Sequence, residues 1–227
     1  KTMAGRLISY SKATEEFEAE GLKDLQELIA FCAKVSNPAA QINTETSERL
    51  IKYLIKHQHW SPLEMVNAVL EIETTRDIAH QIVRHRSFAF QEFSQRYANP
   101  KDMDNVFITS EARLQDTKNR QNSIEIDLGE EGMGELINKW EELQQDVCYT
   151  AGKAYDWAIA NGIAKEVARK VLPEGLTKTR LYMNGTIRSW EHYIDLRSAN
   201  GTQKEHMEIA KACAEVIAKI FPLVDSM

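Results

Sequence analysis

The chain has 227 residues, 43% of them hydrophobic and 27% charged, with a formal net charge of -6 when the histidines are neutral. That length and composition suit one domain with a sizeable core, expected over residues 1–227, and no apolar run is long enough to cross a bilayer. The acidic balance argues against a broad basic platform for nucleic acid.

In chain order, Lys1-Thr2-Met3 reads as a trimmed end without the apolar core of a signal peptide, so the expected location is cytoplasmic. Leu22 to Val35 places Leu25, Leu28, Ile29 and Cys32 at helical spacing, and Ser47 to His57 does the same with Leu50, Leu54 and Ile55. Both predict structural helices. In His57-Gln58-His59-Trp60-Ser61-Pro62-Leu63-Glu64, the order of Ser61, Pro62 and Glu64 fits a capping box with proline at the first helical position. Val66 to Thr75 alternates Val66, Ala68, Leu70 and Ile72 with polar neighbours, which predicts a half-buried strand. Arg76 to about Arg86 then reads as a helix that buries Ile78, Ile82 and Val83 and puts Gln81 and Arg84 on a polar face.

The chain's most distinctive stretch runs from Arg84 to Tyr97 and packs three arginines, a histidine, a glutamate and two serines into fourteen residues. Such a local charge inversion in an acidic protein suggests an anion site. Arg84 and Arg86 lie about 200° apart around a helix and would serve different groups. Glu92, Ser94 and Arg96 recur at every second position, the spacing by which an extended segment puts three polar groups on one face. The order Arg84-His85-Arg86, seven residues, Ser94, one residue, Arg96 resembles the signature of flavin-dependent thymidylate synthases, enzymes that methylate dUMP without a cysteine nucleophile.

Beyond the signature, Val106 to Ile108 predicts a short strand. Residues 116–135 are polar, with Gly129, Gly132 and Gly134, and read as a surface excursion. Their glycine order is reversed from a dinucleotide fingerprint, and Glu130 and Glu131 would repel a pyrophosphate, so no Rossmann unit is expected there. Leu136 to Ala160 predicts a long helix with Ile137, Trp140, Leu143, Val147 and Tyr155 turned to core and subunit contact, closed by Asn161-Gly162. A helix from Ala164 to Leu172 stops at Pro173. Thr179 to Asn184 reads as a strand, Ile187 to Arg197 as a helix, and Gln203 to Phe221 as an amphipathic helix with Ile209, Cys213, Val216, Ile217 and Ile220 inward. Strands and helices mix without regular βαβ alternation, so the expected fold is α+β, an antiparallel sheet flanked by helices.

The resemblance covers segments from about His57 to Glu205 and implies specific roles. Ala168-Arg169-Lys170-Val171-Leu172-Pro173 is similar to a family segment whose arginine binds dUMP, and Arg188-Ser189-x3-Tyr193-x3-Arg197 is similar to its second basic segment. The implied dUMP set is Gln81, Arg84, Glu92, Ser94, Gln95, Arg96, Arg169 and Arg197, with Arg197 catalytic because it favours ionisation at the uracil N3. The implied FAD set is Ser61, Arg84, His85, Arg86, Glu92, Thr186, Arg188 and His192. Thr186 and His192 depart from the asparagines usual in the family, and Ser61 belongs to a family segment that often reaches FAD in a neighbouring subunit. The implied reaction converts dUMP to dTMP with methylenetetrahydrofolate as carbon donor, NADPH as reductant and FAD as redox carrier, in a homotetramer with shared active sites.

The residues agree on one point independently. Cys32, Cys148 and Cys213 are odd in number, widely spaced and distant in sequence from the arginine-rich segments, so neither disulfides nor a cysteine nucleophile is expected. His57, His59, His80 and His85 lack the carboxylate and spacing of a metal hydrolase, and no metal is expected. A single-stranded nucleic-acid module built on Arg84, Arg86 and Arg96 with Phe88, Phe90 and Phe93 is disfavoured by the net charge and by the second arginine set.

Overall fold

The computed structural model describes residues 5–96, 98–102 and 106–222; the expectations for Lys1-Thr2-Met3 and Tyr97 fall outside them. Helices and antiparallel strands combine in an α+β fold, as expected. The strands β1 (Gly5–Tyr10), β2 (Asn67–Thr75), β3 (Ala89–Glu92) and β6 (Lys178–Thr186) form one sheet in the order β1-β2-β6-β3. A second sheet is the hairpin of β4 (Arg113–Gln115) and β5 (Ser123–Glu125). Alternation builds the central strands: β2 buries Ala68, Leu70, Ile72 and Thr74, and β6 buries Thr179, Leu181, Met183 and Gly185. β1 pairs antiparallel with β2, Gly5 opposite Ile72 and Tyr10 opposite Ala68, with a register shift between Leu7 and Ser9.

The chain forms two compact units, one of residues 73–82 and 92–181, the other of described residues 5–72, 83–91 and 182–222. The first contains α4 (Arg76–Ile82), α5 (Met133–Ala160) and α6 (Lys165–Ala168) and is called the α5 unit below. α4 is anchored where the Arg76 and Asp77 N–H groups donate to the Thr177 and Glu174 carbonyls. It ends at Ile82, four residues short of the sequence expectation, and leaves Val83 exposed. The expected strand at Val106 to Ile108 is a single antiparallel bridge, Phe107 to Thr177.

α5 closes on a Schellman motif in which Gly162, at φ 79°, donates to the Ile159 carbonyl and Ile163 to that of Ala158. Its inner face differs from the one expected. Gln144, Cys148, Ala151, Gly152, Tyr155 and Ala158 are buried, whereas Trp140, Leu143 and Val147 are 44–50% exposed. Two stripes fit one helical period here, and the inner one is built of small residues with a glutamine and a tyrosine. Gln144 exchanges hydrogen bonds with the Ser110 backbone, which satisfies its amide, and Gly152 passes the Phe107 ring closely. Tyr155, Ala158, Ala168 and Leu172 make a small core with Phe107 and Ile159 against it.

The second, or α8, unit holds α1 (Glu15–Ala19), α2 (Leu25–Ala33), α3 (Ser47–Lys56), α7 (Ile187–Arg197) and α8 (Lys204–Ala218). α2 packs on α3, and α8 packs on α7 and β1. α8 turns His206, Ile209, Ala210, Cys213, Val216 and Ile217 inward on one stripe. The Arg6 guanidinium pairs with the mostly buried carboxylate of Glu71 at 2.9 Å, which accounts for an acid inside β2's apolar run. Ser61–Met65 form a 3-10 turn headed by Trp60 with no side-chain cap, so Ser61 is not the capping residue its spacing suggested. Glu64 reaches instead to Arg188, at 3.2 Å.

Candidate active site

In the α8 unit the signature leaves α4 as a turn rather than a helix, and Phe88 fixes that turn. Its ring packs edge-on against Trp190 at 4.8 Å and near Tyr193 at 5.8 Å. Gly185 of β6 makes room, since a Cβ there would lie 2.4 Å from the Phe88 ring. With Phe88 buried, His85 faces α7, and Arg197 donates from Nε to His85 Nε2 at 2.9 Å. An arginine can only donate, so His85 Nε2 carries no proton and the ring is the neutral Nδ1–H tautomer. Burial, and then the Arg197 charge, hold its pKa below the ordinary histidine value. Arg84 and Arg86 flank it with exposed guanidiniums that make no side-chain hydrogen bond or ion pair among the described residues.

A second group lies where the 3-10 turn meets the start of α7. Thr186 caps α7, its hydroxyl accepting from the Ser189 N–H at 3.1 Å. That helical duty suits threonine well. Arg188 is half-exposed and paired to Glu64, the exposed His192 ring stands 5.0 Å from Trp60, and His192 Nδ1 donates to the Arg188 carbonyl. Ser61 is exposed at the head of the same turn.

In the α5 unit, Glu92 is held from two sides, by the Thr179 hydroxyl at 2.8 Å and by Arg76 at 3.4 Å. Arg76 also grips Glu174, which takes His80 at 2.7 Å. Burial would raise the Glu174 pKa, but the hydrogen bonds and charges of Arg76 and His80 outweigh it and the net shift is downward. The alternation expected from Glu92 to Arg96 ends early. β3 stops at Glu92, and a turn follows in which the Ala98 N–H donates to the Ser94 carbonyl. Arg96 lies 3.5 Å from Glu166, while Ser94 and Arg169 are half-buried, Arg169 opening a 3-10 turn. Gln95 is 4% exposed and its buried Nε2 has no protein partner among the described residues. Gln81 is half-buried near the end of α4.

The thiols are poorly placed for nucleophilic attack. Burial raises the pKa of Cys32; burial and then Glu141 raise that of Cys148; burial alone pushes Cys213 up to about 12. All three are free, and at neutral pH they stay protonated. Among the described residues, no group of three or more His, Cys, Asp or Glu side chains could hold a metal ion.

A family model for thymidylate synthase complementing proteins matches residues 19–223. A probable flavin-dependent thymidylate synthase of Paramecium bursaria Chlorella virus 1 is 46% identical over 223 residues, 98% of this chain and 97% of the relative. The chain belongs to the flavin-dependent thymidylate synthase family. A second member, from a Synechocystis species, is 45% identical over 220 residues, 96% of each chain. The crystal structure of the UMP/dUMP methylase PolB from Streptomyces cacaoi, bound with 5-Br dUMP, has the same fold, with a TM-score of 0.78 at 20% identity over 100% of this chain and 95% of that one.

Within this flavin-dependent thymidylate synthase fold, sequence reasoning missed the partners behind the signature residues. Thr179 and Arg76 orient Glu92 from 87 and 16 residues away, a separation that no local spacing reveals. Tyr193 and Arg197 are the exception. Their i, i+4 spacing on α7 puts them on one face, and both meet His85.

Proposed function

We propose that the chain converts dUMP to dTMP by reductive methylation, with methylenetetrahydrofolate as carbon donor, NADPH as reductant and FAD as redox carrier, in thymidylate biosynthesis. Family membership supports the activity. The observation that carries the mechanism is that Cys148 and Cys213 are buried, Cys32 is half-buried and all three thiols stay protonated, whereas Arg84 and Arg86 of the signature turn have exposed guanidiniums that are unpaired among the described residues. A cysteine-dependent route needs a thiolate; this chain offers cations instead.

The donor set suits FAD. Arg86, Arg188 and Ser61 offer the charge and hydrogen bonds that a diphosphate needs where no glycine-rich loop exists. His85, Thr186 and His192 complete the proposed flavin set, with Arg84 and Glu92 shared between flavin and nucleotide. When bound, the flavin supplies hydride chemistry, which removes the need for a protein nucleophile. The chain's own residues bind and polarise the uracil. Arg84, Arg96 and Arg169 would hold phosphate and uracil oxygens, Gln81, Glu92, Ser94 and Gln95 would complete the polar surround, and the buried Gln95 Nε2 is a donor available to such a ligand. Arg197 would face the N3/O4 edge, where negative charge grows during reaction.

The proposal includes a cytoplasmic homotetramer whose copies share sites, Ser61 coming from a neighbour. The exposed apolar stripe of α5 supports such assembly. No helix among the described residues is long and apolar enough to cross a membrane. Visible absorbance of the purified protein and dTMP formation from dUMP test the reading. A flavin spectrum and folate-dependent dTMP are expected, and Arg86→Ala should be paler at unchanged circular dichroism. A colourless wild-type protein that cannot be loaded with FAD and makes no dTMP would overturn it.

A further inference from the structure

We propose that Tyr193 and His206 are positioning residues, which hold the His85 imidazole as a hydrogen-bond acceptor and thereby aim the Arg197 guanidinium. That Arg197 serves dUMP rests on the function proposed above; the chain of contacts does not. All four residues belong to the α8 unit. Tyr193 and His206 are 1% and 0% exposed, and the tyrosine hydroxyl meets His206 Nε2 at 2.8 Å. The Tyr193 ring stands nearly perpendicular to His85, 4.8 Å between centroids, with His206 at 6.3 Å behind. Arg197 then reaches His85 Nε2 at 2.9 Å. α8 locks the tyrosine, the tyrosine wedges the imidazole, and the imidazole fixes an arginine that would otherwise swing freely at a helix end.

Packing alone does not explain a tyrosine and a histidine here. Phenylalanine and leucine would fill the same apolar surroundings without burying polar atoms that must satisfy each other. What the polar pair adds is a fixed orientation. The arrangement also makes the aim of Arg197 depend on the charge of His85. Among the described residues, the groups shown to face His85 are Arg197 and Tyr193 from α7 and His206 from α8, with Cys213 of α8 near Tyr193. None of them is an acid that would stabilise an imidazolium. Protonation of His85 removes the Nε2 acceptor and sets a second cation against the guanidinium, so Arg197 is released as pH falls.

Histidine-selective 15N NMR on the protein tests this without ligand, the His85 signal being assigned by its loss in His85→Gln. The expected wild-type result is a neutral Nδ1–H tautomer with a midpoint below the ordinary histidine value. Tyr193→Phe and His206→Leu should raise the midpoint by about half a pH unit or more as the ring loosens and solvates. His206→Gln, which can still hydrogen-bond the tyrosine hydroxyl, should restore it. In parallel, dUMP affinity should fall about tenfold in His206→Leu and recover in His206→Gln. A proton on His85 Nε2, or a midpoint and affinity unmoved in both His206 variants, would overturn the proposal. A wild-type protein that shows the expected His85 behaviour but binds no dUMP would remove dUMP as the ligand of Arg197 and leave the positioning claim decided by the NMR.

Discussion

Arg197 ends a helix, where an arginine ordinarily contributes only about 0.3–1 kcal/mol by meeting the macrodipole. Its Nε is turned instead onto His85, which leaves the terminal nitrogens to face a ligand. If they stabilise charge that grows on the uracil during reaction, Arg197→Ala should lower turnover by about two to three orders of magnitude. Flavin content and melting temperature should change little, because the residue is only partly buried. Near-normal dTMP formation in that variant would take Arg197 off the catalytic list. His206 carries a different consequence. Burial, then Arg197 and His85, lower its pKa to about 3, against an ordinary value near 6.5, so between these values the unfolded chain binds a proton that the folded chain refuses. The stability this neutral histidine confers is therefore complete above about pH 6.5 and declines as pH falls through the window. Thermal melts at neutral and mildly acidic pH should show a shallower decline for His206→Gln than for wild type; parallel declines would mean that other groups govern the acid limb.

Among the elements, β6 and the signature turn depend on each other through one atom position. The Cβ of Gly185→Ala would sit 2.4 Å from the Phe88 ring, so either the ring leaves its place against Trp190 or the strand bends. Overpacking of that kind costs about 1–3 kcal/mol, roughly 2–12 °C in a chain of this size. Since Phe88 fixes the turn bearing His85, the variant should lose flavin as well as stability; a variant that melts early yet keeps its flavin would uncouple the two. This dependence also shows what the sequence could reveal. β2, β6, α7 and α8 were legible because one face of each is buried with a regular period, and the spacing of the signature fixed its register. α4 was expected to continue through Arg86, but burial of Phe88 in an aromatic cluster, a tertiary demand, overrides helical propensity at Val83. β1 was missed because it stands at the end of the sheet order with mostly exposed side chains, and such a strand has no alternating imprint. The support of Glu92 by Thr179 was invisible because sheet pairing, not local spacing, brings the two together.

At the scale of the whole molecule, α5 presents an apolar surface that a single chain leaves in water. Leu136, Trp140, Leu143 and Val147 lie at i, i+4, i+7 and i+11 on one face, each 40–50% exposed. The helix buries its other stripe within its own unit; the outer one, whose Leu136, Trp140 and Leu143 line an open groove beside β4 and β5, keeps an exposed apolar face of the kind ordinary at subunit contacts. The proposed assembly makes this face decisive for function, since sites shared between copies need the copies held together. Replacing Trp140 and Leu143 with glutamate distinguishes a contact from an idle surface. On an isolated chain, substitutions at such exposed positions shift stability by about half a kcal/mol or less. In an assembly they place two carboxylates in a dry interface, a cost large enough to dissociate it. Light scattering should then report a smaller species with unchanged helical circular dichroism, and because Ser61 would no longer reach a neighbour's flavin, the dissociated protein should be paler. Wild-type mass for the double variant would show that α5 holds no copies together, and a smaller species with full flavin content would show that each chain completes its own site.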